Sequence, residues 1–366
     1  YGTSWEVYGV KLDGTTISYS MKGTVGAGNV NIQPSFYTAT FTADSATYGS
    51  VSTGSYIVLP NTTYSVSNNV LTLKYGNQDG RTVTALTKSV SGYTSKFTGW
   101  TPTSGTINAA ATVKAGFSGT ANSYTLTVNP GNSTYTQSYG TQKSISAPAS
   151  SYKVTLNANG GSCSTSSLTS NGTFKSWSLS GSGSISSTTA NPTTYTYGVG
   201  NGTLTASYTY GAVTLPAASR SGYTFKGWST SSTATSGTTG SYTPTGNVTL
   251  YAIWQVNSYT LTVKPGGSTY TQNYGTTKSI SAPASSYKAT LNADGGSCSV
   301  TSVSSTGTFR SWSLSGSGSI SSTTANPTTY TYGTGAATLT ADYYYSAATL
   351  PTPTKSGYKF TGWGTS

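Results

Sequence analysis

The chain has 366 residues, room for two to four ordinary domains or a larger number of small ones, with 34% apolar residues, 7% charged residues and 44 glycines. Its 18 basic and 6 acidic residues give a formal charge of +12, but the basic residues are scattered singly, which argues against a nucleic-acid-binding stripe. Thirty tyrosines, eight phenylalanines and seven tryptophans in period-2 alternation exclude the signature of a disordered chain. No run approaches the length of a membrane-spanning helix, and no window holds a helical period. Aromatic and Thr-rich runs punctuated by Gly and Pro predict an all-β protein.

Residues 1–36 begin near Trp5 and end in Asn29-Val30-Asn31-Ile32-Gln33-Pro34-Ser35-Phe36, read as the C-terminal part of a module. Residues 37–121 form a distinct module, with strands expected at Thr38–Ala43, Val70–Tyr75 and Thr82–Leu86, the last two a hairpin around Gly76–Gly80. From Asn122 the chain repeats itself: 122–231 aligns without gaps to 257–366, at roughly three-quarters identity. The expected modules are then 122–210, 211–256, 257–345 as a copy of the first, and 346–366 as the start of a copy of the second. Both ends read as cuts through modules, which predicts a length of a longer tandem array forming an elongated rod.

A paired motif recurs through these modules. An opener, Phe-x-x-Trp, appears at Phe97/Trp100, Phe174/Trp177, Phe225/Trp228, Phe309/Trp312 and Phe360/Trp363, with a clipped form at Trp5. A closer places an apolar residue, Ala and an aromatic at two-residue steps, as in Leu250, Ala252 and Trp254, on one strand face. Other closers end in Phe117, Tyr208 and Tyr343. Six of the seven tryptophans lie in openers and the seventh in a closer. The expected core anchors are therefore Trp100, Phe117, Phe174, Trp177, Tyr208, Phe225, Trp228, Trp254, Phe309, Trp312, Tyr343, Phe360 and Trp363. Burying one tryptophan is worth roughly 4–6 kcal/mol, most of the margin of a small module.

Gly222-Tyr-Thr-Phe-Lys-Gly-Trp228 followed by Asn247-Val-Thr-Leu-Tyr-Ala-Ile-Trp254, with Leu215-Pro216 ahead, resembles the Listeria–Bacteroides repeat, also called the internalin B-repeat. Tyr124–Val128 with Tyr139-Gly140-Thr141 resembles that family's first hairpin, and 37–119 a divergent form of the repeat. The resemblance implies β-grasp-like modules in extracellular proteins of the bacterial cell surface or cell wall, commonly adhesins or stalks, without catalysis. The Trp177 and Trp312 modules depart from it, with Ser in place of the Gly before Trp and long Ser/Thr/Gly segments before their closers.

Chemistry is narrowed mainly by exclusion. There is no histidine to act as general base or metal ligand. The six acids are Glu6, Asp13, Asp44, Asp79, Asp294 and Asp342, and the full period 122–256 holds none, which excludes carboxylate catalysis and carboxylate calcium sites there. Catalytic, cofactor-binding and metal sites are accordingly expected to be none. Cys163 and Cys298, at matching repeat positions, read either as buried thiols or as cross-links between chains. Tyr195/Tyr197 and Tyr330/Tyr332 could stack on sugar rings, or pair across a half-buried sheet. The sequence thus points to a non-catalytic stalk or fibre shaft of a surface adhesin. The alternative is a carbohydrate- or receptor-binding repeat set, or a subunit of a bacterial or phage filament. Expected partners are neighbouring repeats, identical subunits, or a host or cell-surface glycan or protein, with no nucleic acid.

Overall fold

The structure, a computed structural model, describes the backbone of residues 5–13 and 16–23 and all of residues 35–76 and 80–365. The side chain of Trp5 and residues Ile32 and Pro34 of the first module lie outside the described residues, as do the side chains of Glu6, Asp13 and Asp79. Among the described residues every regular element is a strand. The protein is all-β.

Trp5–Asp13 and Thr16–Gly23 form an antiparallel hairpin. In the Trp100 module, Tyr37–Ala43 runs parallel to Ala111–Ala121 with Phe41 opposite Val113, and Tyr93–Thr101 pairs antiparallel on the other side. The expected hairpin forms between Val70–Lys74 and Thr82–Thr87, with Leu71 opposite Val83. Alternation places Phe41, Leu71, Val83, Trp100 and Val113 in one core. The parallel pairing of a module's first strand with its closer strand is the β-grasp feature that the resemblance implied.

Trp100 differs from the other described opener tryptophans in one respect. Trp177, Trp228, Trp312 and Trp363 each donate Nε1–H to a backbone carbonyl 12 or 13 residues away, at 2.7–3.0 Å. The buried Nε1 of Trp100 has no acceptor. An unmet buried donor already carries its desolvation cost in the folded state. Trp100→Phe is therefore expected to cost about 1–3 kcal/mol less than Trp177→Phe, which orphans the Ala190 carbonyl. Urea unfolding of the two variants checks this.

Beyond the Trp100 module the chain divides unexpectedly. One compact unit comprises residues 1–150 and 173–209; the other comprises 151–172 and 210–366. The boundaries expected from sequence at 122–210 and 211–256 do not follow the cores. Ser123–Asn129 runs parallel to Gly202–Tyr210, with Val128 opposite Leu204. Their side chains join Trp177, Tyr195 and Tyr197 in one core. Ser151–Asn157, only 21 residues further on, skips this module and runs parallel to Val248–Val256, with Leu156 opposite Leu250. Its Val154 and Leu156 are buried with Leu215, Trp228 and Ala252. The Trp177 module is thus built from 122–150 and 173–209, and the Trp228 module from 151–172 and 210–256. Each is interrupted by part of the other. The 15-residue strand Ser167–Gly181 is divided between them at residue 172.

The second copy follows the same plan within the second unit. Ser258–Lys264 lies parallel to Ala337–Tyr345, and Leu261, Trp312, Tyr330 and Leu339 share a core. Ser286–Thr290 pairs with Ser302–Thr306, as its counterpart does at 151–171. Here the expected anchors Phe360 and Trp363 depart from expectation. Phe360 is 37% exposed and Trp363 half-buried, and among the described residues no strand lies over them as Val248–Val256 lies over Phe225 and Trp228. The other expected anchors are buried or packed against a core.

The Gly-to-Ser departure has a local explanation. Gly99, Gly227 and Gly362, each just before its Trp, sit at positive φ. At Gly227 this gives a bulge that skips two residues between Phe225 and Trp228. With Ser311 at that place, the bulge skips only one residue, Arg310, and needs no left-handed backbone.

Candidate functional site

The tyrosines considered for sugar stacking are not available to a ligand. Tyr195, Tyr197, Tyr330 and Tyr332 are at most 1% exposed. Tyr195 and Tyr197 meet edge to face at 4.9 Å, and Tyr195 donates its hydroxyl hydrogen to Ser182 O. Tyr197 donates to Tyr135 O, and Tyr330 and Tyr332 repeat both bonds. The Gly181–Ser184 segment is therefore the lid of a buried tyrosine: a Cβ on Gly183 would lie 2.4 Å from the Tyr195 hydroxyl. Half-buried pairing was too mild an expectation. Tyr195 and Tyr197 are packed into the Trp177 core beside the three-stranded sheet of 142–145, 193–196 and 184–185, and Tyr330 and Tyr332 into the Trp312 core in the same way.

Burial raises the phenol pKa of all four above the usual value of 10.0, and it does the same for Tyr64. Unfolding returns these groups to the ordinary value, so the unfolded chain loses its tyrosine protons first as pH rises. Stability is fully present below about pH 10 and falls above it. Urea midpoints measured between pH 8 and 11 should show this alkaline decline.

The remaining polar chemistry is structural. Asp44 accepts the Phe117 amide at 2.8 Å, and Asp342 pairs with Arg310 at 3.1 Å on the surface. Cys163 and Cys298 are unlinked and half-buried; Cys163 packs against the Trp228 core with its Sγ 3.8 Å from Ala217 O. No group of three metal-ligating side chains occurs among the described residues.

What the sequence did not single out is a joint, built twice from the same parts. Where the Trp100 module meets the Trp177 module, the Asn122 amide donates to Gly92 O at 2.9 Å and the Tyr139 amide to Asn122 O at 2.8 Å. Thr94 donates its hydroxyl to Asn122 Oδ1, and the Tyr139 ring packs edge to face on Tyr93 at 5.6 Å. Where the Trp228 module meets the Trp312 module, Asn257, Gly222, Tyr274, Thr224 and Tyr223 make the same bonds and ring contact. Both glycines lie at positive φ, and a Cβ would fall 2.4 Å from Tyr139 in one joint and 2.2 Å from Tyr274 in the other. The available signal was the recurrence of Gly-Tyr-Thr against a later Tyr-Gly-Thr. Gly222→Ala is expected to cost about 1–3 kcal/mol through strain and clash, and to speed hydrogen exchange at the Asn257 amide.

At a third Gly-Tyr, Gly357 and Tyr358, the tyrosine is 73% exposed. Beside it opens a cleft of about 380 Å³ between the turn at Asn292–Asp294 and the opener segment Tyr358–Gly364.

Residues 193–253 and 316–366 match the family model of the Listeria-Bacteroides repeat domain. The chain carries that repeat at two places. The first match runs from the Tyr195 strand of the Trp177 module into the closer of the Trp228 module, and so straddles the two interleaved modules. The second covers the equivalent stretch, ending in the Phe360/Trp363 opener. No curated protein matches the chain. No helix among the described residues is long and apolar enough to cross a membrane.

Proposed function

We propose that this chain is a structural segment of a bacterial surface protein, a stalk or fibre shaft of an adhesin lying outside the cell, and not an enzyme. The observation that carries this reading is the joint made twice with identical bonds, Gly92/Asn122/Tyr139 and Gly222/Asn257/Tyr274. A protein that serves as a spacer gains from joints that fix one module on the next, and tight glycine–tyrosine seating provides that stiffness. The repeat domain supports an extracellular setting, since the family is typical of surface proteins. Complete burial of Tyr195, Tyr197, Tyr330 and Tyr332 removes the feature that had favoured a glycan-binding role. Two measurements test the proposal. Small-angle scattering of the chain should give a radius of gyration well above the roughly 21 Å of a compact 366-residue protein. Antibodies against 122–256 should label intact cells of the source. A compact particle, or labelling only after permeabilisation, overturns it.

A further inference from the structure

The two segments of the Trp228 module meet at a pair of tyrosines that belongs to neither adjoining core. Tyr152, near the start of Ser151–Asn157, and Tyr210, at the end of Gly202–Tyr210, stack with ring centres 4.0 Å apart and planes 26° from parallel. Packed aromatic rings usually sit about 4.5–7 Å apart, often edge to face. Tyr93/Tyr139, Tyr195/Tyr197 and Tyr223/Tyr274 follow that habit, at 83°, 81° and 77°. The Tyr152 phenol is held above its usual pKa of 10.0 by burial first, then by its hydrogen bond with Tyr210 and the charge of that group. The two hydroxyls therefore share one end of the stack, and the ring carbons ortho to one oxygen face those ortho to the other.

The backbone holds this overlap in place. Tyr152 stands opposite Ser170 in its ladder, and the Ser170 hydroxyl donates to Gly211 O at 2.7 Å, one residue past Tyr210. The second copy repeats the frame: Tyr287 stands opposite Ser305, whose hydroxyl donates to Ser346 O at 2.5 Å, one residue past Tyr345. The Tyr287 and Tyr345 rings lie 4.4 Å apart. Tyr152 and Tyr210 are only half-buried and can be reached from solvent, whereas Tyr195, Tyr197, Trp177 and Trp228 are at most 3% exposed. Histidine is absent, and the single methionine, Met21, lies far off in the first hairpin, so few other groups compete for an oxidant.

We propose that Tyr152 and Tyr210 form a dityrosine cross-linking site, joined by a carbon–carbon bond when a haem peroxidase acts on them with hydrogen peroxide. Each phenol gives up one electron and one proton, and the two phenoxyl radicals couple at their ortho carbons. The hydrogens on those carbons move to the oxygens and restore both aromatic rings. Two hydrogens are lost in all, and they reduce one peroxide to two waters. The overlapped stack already holds the carbons face to face, so coupling needs no rearrangement of the chain. The bond ties 151–172 to 210–256 across the inserted residues 173–209. It is a covalent staple in a period whose one cysteine, Cys163, is unlinked. The site rests on the pair alone and stands or falls apart from the stalk reading.

The test treats the dilute 366-residue chain at neutral pH with hydrogen peroxide and a haem peroxidase. Proteolytic peptides carrying Tyr152 and Tyr210 should be recovered as one linked species lacking two hydrogens, with the blue fluorescence of dityrosine. The chain should stay monomeric on a reducing gel. Tyr152→Phe and Tyr210→Phe each keep a ring in the stack, and an unchanged urea midpoint before oxidation checks their fold. Each should lose the linked species entirely. The oxidised unaltered chain should then unfold at higher urea than oxidised Tyr152→Phe, because the cross-link restricts the unfolded chain. Links among other tyrosines without the 152–210 link, dimers as the sole product, or equal urea midpoints after oxidation overturn the proposal.

Discussion

Residues 211–256 expressed alone are expected to show no cooperative unfolding transition, although they hold a complete opener and closer. The strand Val248–Val256 would lack its parallel partner, and Leu250 and Trp228 would lose the cover of Val154 and Leu156. A segment this short buries too small a fraction of its surface to offset chain entropy even before that loss. Restoring 151–172 should rescue it. The two ends to be joined lie side by side: Ser170 donates its hydroxyl to Gly211 O at 2.7 Å. A chain of 151–172, a two-residue turn and 210–256 is therefore expected to fold without the Trp177 module and to unfold in urea in a single step. Circular dichroism on both fragments decides the matter. A cooperative transition from 211–256 alone would show that the interleaved strand is dispensable.

The all-β class, the strands of the Trp100 module and the anchoring role of the tryptophans were legible because each rests on local alternation. In the stretch 152–156, Tyr152, Val154 and Leu156 alternate with Lys153 and Thr155, and the structure buries Val154 and Leu156. What alternation cannot say is which strand lies alongside. Ser123–Asn129 and Ser151–Asn157 carry nearly the same pattern, and either would pair parallel with either closer. Their assignment is set by the long strand Ser167–Gly181, whose first part lies antiparallel to Ser151–Thr155 and whose later part lies next to the strand Gly202–Tyr210. Sequence order suggested consecutive modules, and pairing produced nested ones. The joint was missed for a related reason. Gly222 reads as an ordinary turn glycine until Tyr274, 52 residues away, is seen against its Cα. Tyr195 was misjudged because its strand, Thr193–Thr196, is flanked by polar residues that say nothing of the Gly181–Ser184 lid closing over the ring.

Nesting also changes what a single core mutation does. Trp228→Ala removes a side chain that is 1% exposed and hydrogen-bonded to Pro216 O, and should cost the Trp228 module about 3–5 kcal/mol through the cavity and the orphaned carbonyl. In a string of independent modules the damage would stop there. Here residues 151–172 are also the only covalent link between the halves of the Trp177 module. When the Trp228 module unfolds, that 22-residue excursion becomes a free loop that the Trp177 module must close, at about 2–3 kcal/mol. The Trp177 core contains no residue of 151–172, so its contacts survive and only this entropy is lost. The Trp100 module, whose core lies entirely within 39–117, should not respond. Hydrogen exchange resolved by segment is the measurement. Protection should collapse in 151–172 and 210–256, weaken in 123–129 and 202–209, and hold in 37–121. An unaltered Trp177 module would mean that the interleaving carries no energetic coupling. Equal loss in the Trp100 module would mean that the coupling runs through packing at the Gly92–Tyr139 joint instead.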